Sequence, residues 1–557
     1  MENQPTGSPP LRIVVIGGVA GGASAATRAR RADACAEIVV LEKGQYVSFA
    51  NCGLPYHLSG EIESRDDLLV TTAELFWKRF RIDVRTGHEV TRIDRDGCFV
   101  EGTDHSSGKS FRIPYDRLIL STGSAPVSPP FMQPPCENVR HLWTLPDMDA
   151  VISQLRDHAV KRAVIIGAGF VGLEVVEQLA HVGIRVALVE RGDQVLKPLD
   201  RHLARIIERD MADRGVSLHL SADVTGLRRD GDRATAVELA DGTVLETDLV
   251  VVGAGVRPRV DLAVAAGLPV GPSGGLVVDR QMRTEDPKIY AVGDMVECHH
   301  GVLDRPLRIP LAGPANRAGR IAGTHAALGE SQPMGSVLGT SVVRVFDLTA
   351  ACTGMSEAAL DANGIAHRSV IIAAGHHAGY YPGAETMQLK VVYSPTDGKL
   401  LGAQGVGGQG VDKRIDVIAT AMHFGGTIHD LAQLDLAYAP PFASAKDPVH
   451  MAAFVAENDL ESHPGIVAPG IDLAGFQVVD VRNPRELVDL PLEGAISIPL
   501  DELADRWQEL DPNLPTITVC HSGKRGHVAA CWLRGKGWRD VRNLTGGMAI
   551  RMLERES

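Results

Sequence analysis

Two stretches of the chain share one order of apolar and polar positions. Residues 11–16 are a short apolar run, the pattern of a strand buried on both faces. The turn Gly17-Gly18-Val19-Ala20-Gly21-Gly22 follows, then a helical pattern over 23–31, then an apolar run over 38–41 that ends on Glu42. The same order returns later. Residues 163–166 are apolar and lead into Gly167-Ala168-Gly169-Phe170-Val171-Gly172, a helical stretch over 173–181, and an apolar run over 186–189 that ends on Glu190. Glycines after a strand let the backbone approach a pyrophosphate at a helix N-terminus, and the acid at the next strand end meets a ribose hydroxyl. The second copy has all three glycines of the fingerprint; the first has Val19 in the middle place. Two copies, each in strand–turn–helix context and each closed by a glutamate, predict an α/β chain that binds two dinucleotides, the pattern of a flavoenzyme.

Further along, residues 335–457 read as a mixed α/β region. Residues 458–470 carry Pro464, Pro469, Ser462 and no periodicity, and read as a linker. Beyond it, residues 476–482 and 516–519 are strand-like. The second runs into Cys520-His521-Ser522-Gly523-Lys524-Arg525 and a helical stretch over 526–535.

Composition narrows the class. With 557 residues, three to five domains are expected. Hydrophobic content of 44% with 22% charged residues suits a globular enzyme, and a net charge of −13 argues against a general nucleic-acid surface. The 8 cysteines are scattered without a Cys-x-x-Cys pair, which fits a reducing compartment. Residues 1–10 lack a basic start and an apolar run, and no apolar stretch approaches the roughly 18 residues of a membrane helix. A cytoplasmic protein without membrane contact is expected. Cys35, Cys98, Cys136, Cys298, Cys352 and Cys531 read as structural. The pairs His299-His300 and His376-His377 read as surface or loop histidines, and no metal is expected.

The chemistry centres on Ser48-Phe49-Ala50-Asn51-Cys52-Gly53-Leu54-Pro55-Tyr56. Its one thiol has no local partner, since the position five residues on is His57. A single thiol can form a mixed disulfide, a persulfide or a sulfenic acid. With the two glycine turns, this stretch resembles the pyridine nucleotide-disulfide oxidoreductases, and within them the single-cysteine branch close to coenzyme A-disulfide reductase. The resemblance spans residues 11 to about 456. It implies that Cys52 is the redox nucleophile beside the flavin. It also implies that Gly17, Gly18, Ala20, Gly21, Gly22, Glu42, Lys43, Thr122, Gly123, Gly293 and Asp294 serve FAD, the last pair closing the Ile289-Tyr-Ala-Val-Gly-Asp segment. Gly167, Gly169, Gly172 and Glu190 then serve NADH. Arg28, Arg31, Ser48 and Asn51 fall where that family contacts coenzyme A. Tyr438 and Lys446, in Tyr-Ala-Pro-Pro-Phe-Ala-Ser-Ala-Lys, fall where one subunit of a homodimer reaches the other's cysteine and coenzyme A. A further tyrosine there is Tyr380 or Tyr381.

The Cys520 loop resembles the rhodanese active-site loop, Cys-x-x-Gly-x-Arg, and Asp480-Val-Arg482 and Leu544-Thr-Gly-Gly547 match other landmarks of that family. This implies Cys520 as a sulfane-sulfur carrier with Arg525 in the catalytic loop. A cysteine at a strand end under a helix start also favours thiolate. The expected architecture is two Rossmann-like domains, for FAD at 10–148 with 270–334 and for NAD at 149–269, an α+β dimerisation domain at 335–457, and an α/β rhodanese domain at 471–557.

The expected activity is NADH-driven reduction of sulfur–sulfur bonds in coenzyme A persulfide or polysulfide, with coenzyme A disulfide close behind. Two alternatives stand beside it. One is an NADH oxidase or peroxidase using a Cys52 sulfenic acid, disfavoured because such relatives carry a histidine where this chain has Ala20. The other is a sulfur carrier with a regulatory flavin part. Glu190 also sets a cofactor expectation, because a carboxylate at that strand end repels a 2′-phosphate. NADH should give the higher kcat/KM. An equal or higher value with NADPH would reject that role, which the neighbouring Arg191 could soften.

Overall fold

The computed structural model describes residues 9–555, which form two compact units. Of these residues, the first unit holds 9–191 and 215–339, and the second holds 192–214 and 340–555.

The first unit repeats one design twice. Its first parallel sheet has the order Ile289–Ala291, Arg117–Leu120, Arg12–Ile16, Glu37–Glu42, Asp83–Thr86. The second has Val139–Arg140, Leu249–Val252, Arg162–Ile166, Arg185–Val189, Ser217–His219. Each is joined by a three-stranded antiparallel sheet, formed by residues 88–114 and 224–246. The central strands are apolar on both faces because both faces are covered: Ile13, Val14, Val15, Val164 and Ile165 have no more than 1% exposure. The helix Ala20–Ala32 crosses Ala312–Leu328 at close range, since a Cβ on Gly319 or Gly323 would run into the Gly21 or Ala25 carbonyl.

The second unit contains a five-stranded antiparallel sheet, ordered Ser341–Val345, Leu348–Gly354, Leu400–Gly407, Thr386–Tyr393, Arg368–Gly375. Val411–His423 and Pro448–Leu460 are its longer helices. A five-stranded parallel sheet follows, ordered Gly465–Val467, Val541–Leu544, Thr516–Val519, Gln477–Asp480, Ile496–Ser497.

Several expectations need correction. Residues 458–470 are not a free linker. The helix Pro448–Leu460 runs into them, and Gly465–Val467 is already an edge strand of the last sheet, which therefore starts before residue 471. The cause is Asp459, fully buried and accepting from Tyr393 Oη at 2.6 Å, Arg368 Nη2 at 2.5 Å and Ile466 N at 3.1 Å. The sheets also meet directly: Thr545 Oγ1 accepts from Ile371 N (2.8 Å) and donates to Ile371 O (3.1 Å). The stretch 149–269 is interrupted as well. Its helix Arg201–Asp213 groups with the later chain, through Asp200 to Lys390 (2.7 Å) and His202 to Glu554 (2.8 Å).

Of the paired histidines, His300, His376 and His377 are buried rather than superficial. His300 Nδ1 accepts from Val302 N and Leu303 N, and burial lowers its pKa to about 4, which keeps it neutral. Cys136, Cys298 and Cys352 are buried, whereas Cys35 and Cys531 are exposed, so packing does not explain those two. Among the described residues no helix is long and apolar enough to cross a membrane, and no three side chains gather as metal ligands.

Asp459→Ala leaves Tyr393 and Arg368 without their acceptor. Removing one partner of a buried pair costs about 3 kcal/mol. The variant should unfold at lower denaturant and become cleavable near 461–465 under conditions where the wild type resists. Unchanged proteolysis would show that Asp459 does not hold this segment.

Candidate active sites

The two glycine turns have the same geometry. Gly17 N donates to Leu41 O and Gly167 N to Val189 O, each at 2.8 Å. Both glycines lie at positive φ, +94° and +104°, with Ser121 O and Gly253 O where a Cβ would stand. Glu42 Oε2 accepts from Gly18 N at 2.8 Å and Glu190 Oε2 from Ala168 N at 2.7 Å, so each acid reaches back to its own turn. The helices that follow, Ala20–Ala32 and Phe170–His181, begin at Val19 and Gly169 without a side-chain cap. Open space lies beside Gly169. Uncapped amides that can donate to a pyrophosphate, beside a strand-end carboxylate that can accept from a ribose hydroxyl, fit a dinucleotide.

Around the first turn, Ser124 Oγ donates to Asp294 Oδ2 (2.7 Å), and Thr122 Oγ1 donates to Arg259 O (2.6 Å). Gly123 and Gly293 both take positive φ. Gly21 and Gly22 are buried in the helix start, and Lys43 forms an exposed pair with Glu89 (2.6 Å).

Cys52 lies in a short 3₁₀ turn, Asn51–Gly53, at the start of the helix Leu54–Leu58. Ser48 N donates to Gly18 O at 2.9 Å, which ties this segment to the first glycine turn. Tyr56 Oη donates to Glu174 Oε1 at 3.0 Å, and Ser59 Oγ donates to Gln178, so the cysteine helix rests on the second fingerprint helix. The Cys52 residue keeps an exposed edge, while packing around its sulfur raises the thiol pKa. The carboxylates of Glu174 and Asp294 raise it further. Asn51 is exposed, with Oδ1 at 3.7 Å from Cys52 Sγ. On the helix Ala20–Ala32, Arg28 Nε donates to Thr324 Oγ1 (2.8 Å), Ser24 Oγ to Asn316 Oδ1 (2.5 Å), and the Arg31 guanidinium lies over Phe80 at 5.4 Å.

In the second unit the tyrosine alternatives separate. Tyr380 Oη and Tyr438 Oη are 3.0 Å apart, and both residues are exposed. Tyr381 instead sets its ring edge-on to His377. The segments carrying this pair are fastened by Arg414, 1% exposed, which donates to both Asp447 oxygens (3.3 and 2.8 Å) and to His376 O (2.7 Å). Lys446, beside Asp447, is exposed.

Cys520 ends the strand Thr516–Val519, is 1% exposed, and accepts one backbone hydrogen bond, from Gly523 N at 3.1 Å. The helix Lys524–Gly535 starts at Gly523, whose carbonyl accepts from Asn543 Nδ2 at 3.0 Å. Arg525 does not stand free beside the sulfur. Its two terminal nitrogens each donate to Glu486 at 2.6 Å, and Arg482 makes a similar buried fork with Asp480.

A model of the pyridine nucleotide-disulphide oxidoreductases matches residues 11–330, its dimerisation domain matches 340–449, and a rhodanese-like domain matches 467–549. The chain belongs to the pyridine nucleotide-disulphide oxidoreductase family. A coenzyme A disulfide reductase of Staphylococcus aureus is 33% identical over 446 residues, which is 80% of this chain and 100% of the relative. Two solved structures cover nearly the whole chain. Reduced CoADR-RHD of Bacillus anthracis superposes with a TM-score of 0.94 at 40% identity over 98% of each chain. A NAD-dependent persulfide reductase from A. fulgidus gives 0.91 at 36% identity, over 97% of this chain and 100% of that one. This oxidoreductase is thus of the coenzyme A disulfide and persulfide reductase type, with a rhodanese domain.

Sequence reading missed Glu174, Arg414 and Glu486. Glu174 carried a signal, a charge two residues past the last glycine of a helix-opening turn; the other two lie in no motif. Glu174 gives a test. Iodoacetamide alkylation of Cys52 should keep rising with pH beyond the ordinary thiol value of about 8.5. Glu174→Gln removes a negative charge and should move the profile to lower pH; an unmoved profile would exclude the carboxylate as a cause.

Proposed function

We propose that this oxidoreductase binds FAD and uses NADH to reduce sulfur–sulfur bonds in coenzyme A persulfide or polysulfide, and in coenzyme A disulfide. The observation that carries the reading is the pairing, in one chain, of a lone cysteine beside a dinucleotide turn with a second cysteine in a rhodanese loop. Residues 10–148 with 270–334 serve FAD and 149–269 serve NADH, apart from the helix that groups elsewhere.

The overall change balances as coenzyme A persulfide plus NADH plus a proton giving coenzyme A thiol, hydrogen sulfide and NAD⁺. Bound FAD supplies the hydride-to-sulfur electron transfer. Cys52 is the nucleophile: its thiolate attacks the substrate sulfur, the sulfur–sulfur bond breaks, and the leaving thiolate takes the electron pair. Arg28, Arg31, Ser48 and Asn51 hold the coenzyme A moiety, Arg by fork and charge. In a homodimer, Tyr438 and Lys446 complete the partner's site, and the Tyr380–Tyr438 pair donates the proton that the leaving thiolate takes up. Cys520 holds sulfane sulfur as a persulfide and feeds the reductase.

The test uses two variants and three reactions. Cys52→Ser should still bind flavin and take electrons from NADH, yet lose turnover with coenzyme A disulfide and polysulfide. Cys520→Ser should lose sulfur transfer and keep coenzyme A disulfide reduction, with polysulfide reduction between these limits. If Cys520→Ser abolished coenzyme A disulfide reduction as completely as Cys52→Ser, this division of labour would be wrong.

A further inference from the structure

The rhodanese loop contains a guanidinium that is already spent. Arg525 donates Nη1 to Glu486 Oε2 and Nη2 to Glu486 Oε1, both at 2.6 Å, a two-point ion pair of the strong planar kind. Glu486 is itself fixed. It is the third residue of the helix Pro484–Asp489, and Oε2 also accepts Asn483 N at 3.0 Å in a capping box. The carboxylate is held down to about 2, chiefly by Arg525, so it stays ionised at every pH where the enzyme works. The second arginine of the module, Arg482, is fully buried and matched by Asp480. The remaining basic side chains of the loop, His521 and Lys524, are exposed, and water and salt screen the lysine's charge.

We propose that Glu486 determines the donor specificity of the Cys520 loop: by occupying Arg525 it denies that guanidinium to dianionic donors such as thiosulfate, and leaves the loop to donors whose sulfur rides on a thiol. The inference rests on the reading of Cys520 as the sulfur carrier. Cys520 is 1% exposed and its sulfur receives one backbone N–H, so a donor must shed water to reach it. A dianion entering such a site needs a desolvated cation to offset the loss of hydration. With Glu486 in place, the fork of Arg525 has no net charge to offer. A persulfide brings at most one negative charge on the transferred sulfur and a thiol leaving group, so it depends less on that cation.

Both steps balance. With thiosulfate, the Cys520 thiolate attacks the outer sulfur, the S–S bond breaks, and sulfite leaves with the electron pair, giving the Cys520 persulfide anion. With a thiol persulfide, the same attack expels the thiolate and gives the Cys520 persulfide with its proton. Neither step needs an added oxidant or reductant.

The experiment measures sulfur transfer to cyanide by the full-length flavoprotein with thiosulfate and, separately, with coenzyme A persulfide. Glu486→Gln keeps the capping-box acceptor and removes the charge. Its kcat/KM for thiosulfate should rise about tenfold, mostly through KM, the scale of a charge-assisted contact at a partly exposed site. Transfer from coenzyme A persulfide should stay within about twofold of wild type by the same reasoning. In the double variant Glu486→Gln with Arg525→Ala, the thiosulfate gain should vanish. Unchanged or lower thiosulfate transfer in a normally folded Glu486→Gln protein would overturn the gate, as would a gain that survives loss of Arg525. Transfer retained in Cys520→Ser would instead overturn the carrier reading on which the gate rests.

Discussion

Backbone amides at a helix start need acceptors, and at both glycine turns this chain supplies no side-chain cap for them. The helices Ala20–Ala32 and Phe170–His181 begin uncapped, whereas Leu145–Asp157 and Ile428–Ala432 begin with Thr–Asp capping boxes. The uncapped starts coincide with glycines at positive φ pressed against a neighbouring strand end. That combination leaves N–H groups facing a space that an anion can enter. The parallel sheets hold the two turns open, and the strand-end acids Glu42 and Glu190 brace them. The first unit is two copies of this solution, each with its own antiparallel flank.

The cysteine segment exploits both copies. Ser48 ties it to the first turn, while Tyr56 and Ser59 tie it to the helix of the second. Cys52 is therefore positioned by hydrogen bonds from either side together with the buried Leu54 and Leu58 of its helix. The close crossing of Ala20–Ala32 with Ala312–Leu328, possible only with glycine at 319 and 323, sets Ser24 and Arg28 against Asn316 and Thr324.

The second unit is joined differently, by buried ion pairs, three of them between segments far apart in sequence and one, Asp480 with Arg482, within a single strand end. Asp447 with Arg414, Asp200 with Lys390, Asp459 with Arg368 and Asp480 with Arg482 each include a residue at or near zero exposure. Such pairs give little net stability, because desolvation offsets attraction, but they reject alternative arrangements in which one charge is left alone. Their placement is selective. One fixes the segments bearing Tyr380 and Tyr438, one turns an apparent linker into folded chain, and one holds the start of the rhodanese sheet. Glu486 with Arg525 belongs to the same series, half-exposed, and acts on the Cys520 loop.

The chain by itself determined the glycine turns, the strands around them, the family, the lone cysteine and the rhodanese loop. These are local facts: a phosphate turn needs glycines at fixed spacing, and a buried parallel strand needs an unbroken apolar run. Tertiary structure alone decided which tyrosine meets Tyr438, since Tyr380 and Tyr381 are neighbours whose sequence context is the same. It alone decided that 458–470 is packed, because one buried aspartate outweighs two prolines and the lack of periodicity. It moved the helix Arg201–Asp213 out of the region its sequence neighbours form, through charges at 390 and 554 that no window around residue 200 contains. It also assigned Arg525 to Glu486, 39 residues away, where the loop pattern had pointed to the sulfur. In each case the deciding partner is distant in sequence and polar, and a long-range polar contact leaves no periodic trace in the chain that makes it.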